Sequence, residues 1–246
     1  MSLQNRPHLF GLVAGLFLAA GLCLAALLVT RAWMRINESQ IVSVTGSARK
    51  DVRSDLALWD CSFFSEAPTL AEAHALSKED LAKVELFLRG AGQTDFVVLP
   101  ITVNELSRRV KTPDGGETHQ HAGYRIRQSL KVRSTQVESL PALASASAAM
   151  LSQGVSLSSD NLSFIYTKAN DAKIEMMAEA TRDARARAEQ IASNGGRGIR
   201  ELRSARMGVV QINPLYSTAT SWEGNNDTGS LEKTITCTVS ATFTLD

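Results

Sequence analysis

Leu9 to Thr30, LFGLVAGLFLAAGLCLAALLVT, runs for 22 residues without a charged side chain. As a helix rising 1.5 Å per residue it covers about 33 Å, enough to cross the hydrocarbon core of a bilayer. A buried core helix rarely avoids charge for so long. A cleaved signal peptide is the competing reading, because Gly and Ala litter the run and would suit a cut after Ala20 or Gly21. The apolar region of such a peptide is only about 7–15 residues, so the length predicts a transmembrane signal-anchor. Leu22 stands before Cys23 where a lipidation signal would have a small residue, which argues against a lipoprotein. The chain is expected to comprise a short cytoplasmic tail 1–8, the anchor 9–30, a linker 31–40 and a folded domain 41–246. Arg6 on one side and Arg31 and Arg35 on the other leave the positive-inside count close to a tie. The short end is the natural one to stay inside, with a single pass and the large carboxy-terminal part exported.

Charge excludes one class of partner. Lys and Arg number 26 against 25 Asp and Glu, a formal net charge of +1, so no bulk field selects polyanions and nucleic acid is not expected. The stretch EATRDARARAEQIASNGG, Glu179 to Gly196, looks basic, yet Arg182, Arg185 and Arg187 are matched by Glu179, Asp183 and Glu189. It reads as a packing helix. Steps of three and four predict an inward stripe of Ile174, Met177, Thr181, Ala184, Ala188 and Ile191, small in its middle, and Asn194-Gly195-Gly196 closes the helix.

From Ile41 the pattern is that of an α+β domain. Strands are predicted at IVSVTGSARK and DLALWDCSFFSE, followed by a capping box, Thr69 to Glu72, that opens a helix running to Gly90. Its inner side is expected to carry Leu70, Ala73, Leu76, Leu81, Val84 and Leu88. Extended segments at about 96–110 and 122–133 are joined by KTPDGGETHQH, whose Pro113, Asp114, Gly115 and Gly116 predict an exposed hairpin tip. A second box, Thr135 to Glu138, predicts a helix over about 136–153, ended by Gly154. Strands are then expected at about 155–167, 199–211 and EKTITCTVSATFTL. The polar loop between the last two, Asn213 to Ser230, is long enough to be either mobile or an oligomer contact. Tyr216 and Trp222 within it are apolar groups that a solvent-only loop would not need, and the plainer expectation is that they fold back on their own domain.

The chemistry-bearing residues are few. There is no Gly-x-Ser-x-Gly elbow, phosphate-binding glycine loop or His-Glu-x-x-His. Of His8, His74, His119 and His121, only the last two are close. With Asp114 and Glu117 they could be drawn as a metal site, but a solvated loop is the simpler reading. Cys61 shares a strand face with Trp59 and Phe63, and Cys237 with Ile235 and Val239, so both point inward. In an oxidising compartment they would pair or stay two buried thiols, and spacing does not choose between these. No catalytic residue, cofactor-binding residue or metal ligand is expected.

The segments VTGSARKDVRSDLALWDCSF, TLAEAHALSKEDLAKVELFLRGAG, DFVVLPITVNEL, YRIRQSLKVRSTQVESLPAL, SLSSDNLSFIYT and EATRDARARAEQIASNGGRGIREL together resemble the SIMPL-domain family, whose bacterial members include the YggE-like proteins. The resemblance covers about 41–246 and rests on the order of many segments. It implies an α+β fold, with a curved antiparallel sheet, about three packed helices and two related strand–helix halves. It also implies an inner-membrane or periplasmic setting, ring-like or channel-shaped homo-oligomers, a link to oxidative-stress defence, and no enzymatic activity. Val52-Arg53-Ser54-Asp55 departs from the Pro-Asp pair common in the family. The expected function is therefore a non-enzymatic, membrane-anchored envelope protein that self-assembles. A monomeric periplasmic binding module is the alternative, followed by a thiol or metal enzyme.

Overall fold

The computed structural model describes residues 7–37, 40–111 and 116–246. Helix α1, Pro7–Asn37, contains Gly11–Met34, long and apolar enough to cross a membrane and left uncovered by the rest of the chain. It is followed by β1 (Ile41–Arg53), β2 (Leu56–Ala67), α2 (Leu70–Gly90), β3 (Phe96–Val98), β4 (Thr102–Lys111) and β5 (Glu117–Ser134). Next come α3 (Ser139–Ala146), a 3-10 segment Ser147–Gln153, β6 (Ser158–Ile165), α4 (Ala169–Asn194), β7 (Ile199–Met207), β8 (Gln211–Pro214) and β9 (Glu232–Leu245). The α+β class holds, with the antiparallel pairing distributed over two sheets. One has the order β1-β9-β7 with β8 beside β9, the other β3-β5-β2-β6 with β4 beside β5. The chain divides into two compact units, Met1–Ser47 with Glu179–Gly208 and Thr238–Asp246, and Ala48–Ala178 with Val209–Cys237.

In the first unit the core is built from small parts: Val42, Ala184, Ala188, Ala241 and Phe243, flanked by Val44, Ile199 and Leu245. Alanines let the helix axis approach the sheet closely, and at Gly46 the approach is complete. A β-carbon there would lie 2.8 Å from the Ala184 Cα and within contact of the Ala180 carbonyl oxygen. The adjacent Ser47 amide donates to Asp183 Oδ2 at 2.8 Å, and Arg187 pairs with the same carboxylate at 2.8 Å. Helix α4 ends with Gly196 at φ +71° and with the Arg197 amide bonded to the Ala192 carbonyl, a left-handed closure as expected.

In the second unit β2 lies between β5 and β6 and buries Trp59, Cys61 and Phe63 on one face. These pack with Val84 and Leu88 of α2, Leu140, Leu143 and Met150. Each fully buried large apolar side chain is worth about 1.5–3 kcal/mol. The opposite face carries cross-strand ion pairs, Arg125 with Glu66, Arg127 with Asp160 and Lys131 with Asp60. Exposed pairs contribute only about 0–1 kcal/mol each, so the apolar face fixes the register. The Trp59 indole donates to Ser159 Oγ at 2.8 Å. Beyond Gly123, at φ +129°, β4 and β5 continue as an exposed two-stranded arm. A side chain at Gly123 would meet the Ala67 carbonyl oxygen at 2.6 Å, so only glycine fits that bend.

Several expectations are corrected. The Thr69–Glu72 capping box is present, but α2 turns Ala73, Ser77, Asp80, Val84 and Leu88 inward while Leu70 and Leu76 are exposed. Asp80 is tolerated inside because Ser65 Oγ donates to it at 2.7 Å and Lys83 at 3.2 Å. No box forms at Thr135: α3 starts after Glu138, which pairs instead with Arg53, and no side chain caps the helix. The buried stripe of α4 is Ala172, Met176, Ala180, Ala184, Ala188 and Ala192, strictly every fourth residue, and Ile174, Met177 and Ile191 are exposed. The strands flanking the hairpin tip reach Lys111 and Glu117, so His119 and His121 lie in β5, not in a loop. The tip residues Pro113, Asp114 and Gly115 lie outside the described residues.

Candidate functional site

The loop from Leu215 to Leu231 is a surface feature of the second unit with many hydrogen bonds to its base. It is held from below by three buried polar side chains. Gln211 accepts from the Ser221 and Asn225 amides at 3.2 and 2.9 Å and donates to the Ser221 carbonyl at 2.8 Å. Asn213 donates to the Ala219 carbonyl at 2.7 Å and accepts from Asn225 Nδ2 at 2.8 Å. Lys233, only 1 % exposed, donates to the Asp227 carbonyl at 2.6 Å and to Asp227 Oδ2 at 3.0 Å.

The Asp227 carboxylate also accepts from the Gly229 and Ser230 amides at 3.1 and 3.2 Å. Burial opposes its ionisation, but these donors outweigh burial and hold its pKa below the ordinary carboxylate value. A buried lysine facing an ionised carboxylate is thus a closed clasp at the root of the loop. The outcome is a loop tied to its base by hydrogen bonds that displays Trp222 at 96 % exposure and Tyr216 at 81 %. Both aromatics had two readings in the sequence, and neither folds back on the domain. Trp carries a large apolar ring, so its near-complete exposure here is an unusual feature of the surface.

Next to the clasp lies a cavity of about 380 Å³, lined by Phe164, Ile165, Tyr166, Lys173, Ile212 and Lys233 among others. Its size suits a small ligand. Two lysines against Asp227 leave the wall positive, and Phe164, Ile165 and Ile212 give it an apolar side.

The residues singled out in the sequence are not brought together. Cys61 is a free thiol buried in the core, so no bond joins it to Cys237. Burial, with Asp160 and Asp60 nearby, pushes the Cys61 pKa up to about 12, and burial raises that of Cys237 as well. The thiolate a nucleophile or redox centre needs is therefore suppressed. His121 Nδ1 lies 2.7 Å from Glu105 Oε1 and its ring 4.9 Å from Tyr124. Glu117 is engaged by Arg109 at 3.0 Å. Among the described residues no group of three or more His, Cys, Asp or Glu could hold a metal.

Lys233 was missed in the sequence although its signal was there. It shares strand parity with Ile235, Cys237 and Val239, and a lysine on an inward parity needs a buried partner. Gln211 and Asn213 share a parity in the same way.

No curated protein matches the chain. A family model described as "SIMPL: Protein of unknown function (DUF541)" matches residues 42–243. The match takes in most of both units, leaving out residues 1–41 and 244–246, and the chain belongs to the SIMPL family.

Proposed function

We propose that this SIMPL protein is a non-enzymatic envelope component, tethered to the inner membrane by α1 with its domain in the periplasm, that assembles with copies of itself into a ring-like oligomer. The observation that carries the reading is Trp222, 96 % exposed on a loop pinned by Gln211, Asn213 and the Lys233–Asp227 clasp. Exposed aromatics on rigid supports are the usual anchors of protein interfaces. The suppressed thiol of Cys61 supports a non-catalytic role, so a contribution to oxidative-stress defence would be indirect. Crosslinking of the full chain in native membranes is the test. A ladder of multiples that collapses to the single chain in Trp222→Ser supports assembly, and a single band in the wild type refutes it.

The cavity beside Lys233 favours a second reading, a binding module for a small acidic ligand with an apolar body. It predicts function without self-association. A thermal shift produced by benzoate but not by benzyl alcohol would support it.

A further inference from the structure

Most arginines of the folded part are paired: Arg49, Arg53, Arg89, Arg109, Arg125, Arg127, Arg133, Arg182, Arg185 and Arg187 each lie against a carboxylate. Arg197, Arg200 and Arg206, exposed on and beside β7, hold none among the described residues. With Arg203 they recur every third residue, a spacing that would alternate faces in a regular strand. Strand β7 is not regular: its register against β9 slips between Ile199 and Leu202 and again between Leu202 and Ser204. Each slip inserts one extra residue. Ile199, Leu202 and Ala205 thereby pair with Leu245, Phe243 and Ala241, the inward series of β9. Glu201 is the one acid in residues 197–207, and the Asp246 carboxylate stands beside Gly198, so with Arg197, Arg200 and Arg206 the segment is locally basic in a chain that is otherwise balanced.

Position gives the charge its meaning. The Leu245 amide donates to the Gln40 carbonyl at 2.9 Å, and the Asp246 amide to the Gly198 carbonyl at 3.0 Å. The entry of β1, the exit of β9 and the start of β7 therefore meet at one end of the first unit. The apolar span closes at Met34, with only residues 35–39 between it and Gln40, so the end of the unit that holds Gln40, Gly198 and the neighbouring Arg197 is the end from which the chain leads into the span. Trp33 near the end of the span suits the headgroup layer.

We propose that the β7 arginines, led by Arg197 and Arg200, dock on anionic lipid headgroups beside the anchor, making a second, electrostatic membrane contact. Guanidinium groups suit this because each presents several donors to phosphate oxygens. The surface goes beyond tethering: a helix alone leaves the domain free to swivel, whereas the strand fixes it against the membrane.

The test is amide hydrogen exchange of residues 195–207 in the full chain, reconstituted in nanodiscs of phosphatidylcholine alone or with phosphatidylglycerol at about 30 %. Strand β7 is at the edge of its sheet, so part of its backbone exchanges readily. Exchange slowed by about threefold or more with phosphatidylglycerol, and restored by about 0.5 M NaCl, is the expected result. Arg197→Gln with Arg200→Gln should remove the slowing, while Arg108→Gln on β4 should leave it. Equal exchange in the two lipids, or slowing that survives the double variant, overturns the proposal. Protection that appears in phosphatidylcholine alone and grows with protein concentration overturns it in favour of a second copy.

Discussion

Gly46 of β1 and Ala184 of α4 touch backbone to backbone: a β-carbon on the glycine would stand 2.8 Å from the alanine's α-carbon. The relationship explains why the helix buries only alanines along its second half, since any larger residue would lift it off the strand. Gly46→Ala must displace the helix, and overpacking of this kind costs about 1–3 kcal/mol. Gly90, with open space around it at the end of α2, should accept Ala at little or no cost. Urea unfolding of the two variants checks this, and equal midpoints would refute the close contact.

The Lys233–Asp227 clasp should behave as a coupled pair. Asp227→Asn leaves a buried lysine without its counter-charge and is expected to cost about 3 kcal/mol. Adding Lys233→Met should cost less than the sum of the single changes. Because the folded pKa of Asp227 is depressed, its contribution is present above the unfolded value, about 3.9, and is lost as pH falls through the lower folded value. Thermal melts between about pH 2 and 7 should show an acid limb that is shallower in Asp227→Asn. An unchanged limb would mean that the carboxylate is not the group titrating.

Trp222 separates stability from assembly. At 96 % exposure it contributes nothing to the packing of its own chain, so Trp222→Ser should shift stability by no more than about 0.5 kcal/mol. A large loss of stability in a non-associating preparation would show that the side chain is buried in its own domain after all.

Cys61 should be inert in the native protein. With its pKa at about 12 and its side chain enclosed, iodoacetamide at pH 8 is expected to leave it unmodified, as read by peptide mass spectrometry, and to label it fully in urea. Rapid native labelling would reopen a thiol chemistry for the protein.

Much of this architecture is legible in the sequence. The uncharged run at Leu9–Thr30, the Thr69–Glu72 box, the inward parity of Trp59, Cys61 and Phe63, and the closure at Gly196 all follow from local chemistry. What failed was decided by tertiary contact. The sequence draws the stripe of α4 through Ile174, Met177 and Ile191 because large apolar residues usually lie inside. Here the strand at Gly46 comes so near that size is excluded, and a run of alanines four apart was the truer signal. The Thr135 box did not form because Glu138 is taken by Arg53 on another element. The clasp was invisible as long as a lysine was read as a surface residue, although its parity with Ile235 and Cys237 pointed inward.

The most direct measurement is the particle mass of the full chain in mild detergent, taken across a range of protein concentrations. A discrete assembly many times the 26.6 kDa chain, lost in Trp222→Ser, is the predicted result. A detergent-bound monomer at every concentration would contradict self-assembly and leave the cavity beside Lys233 as the feature to pursue.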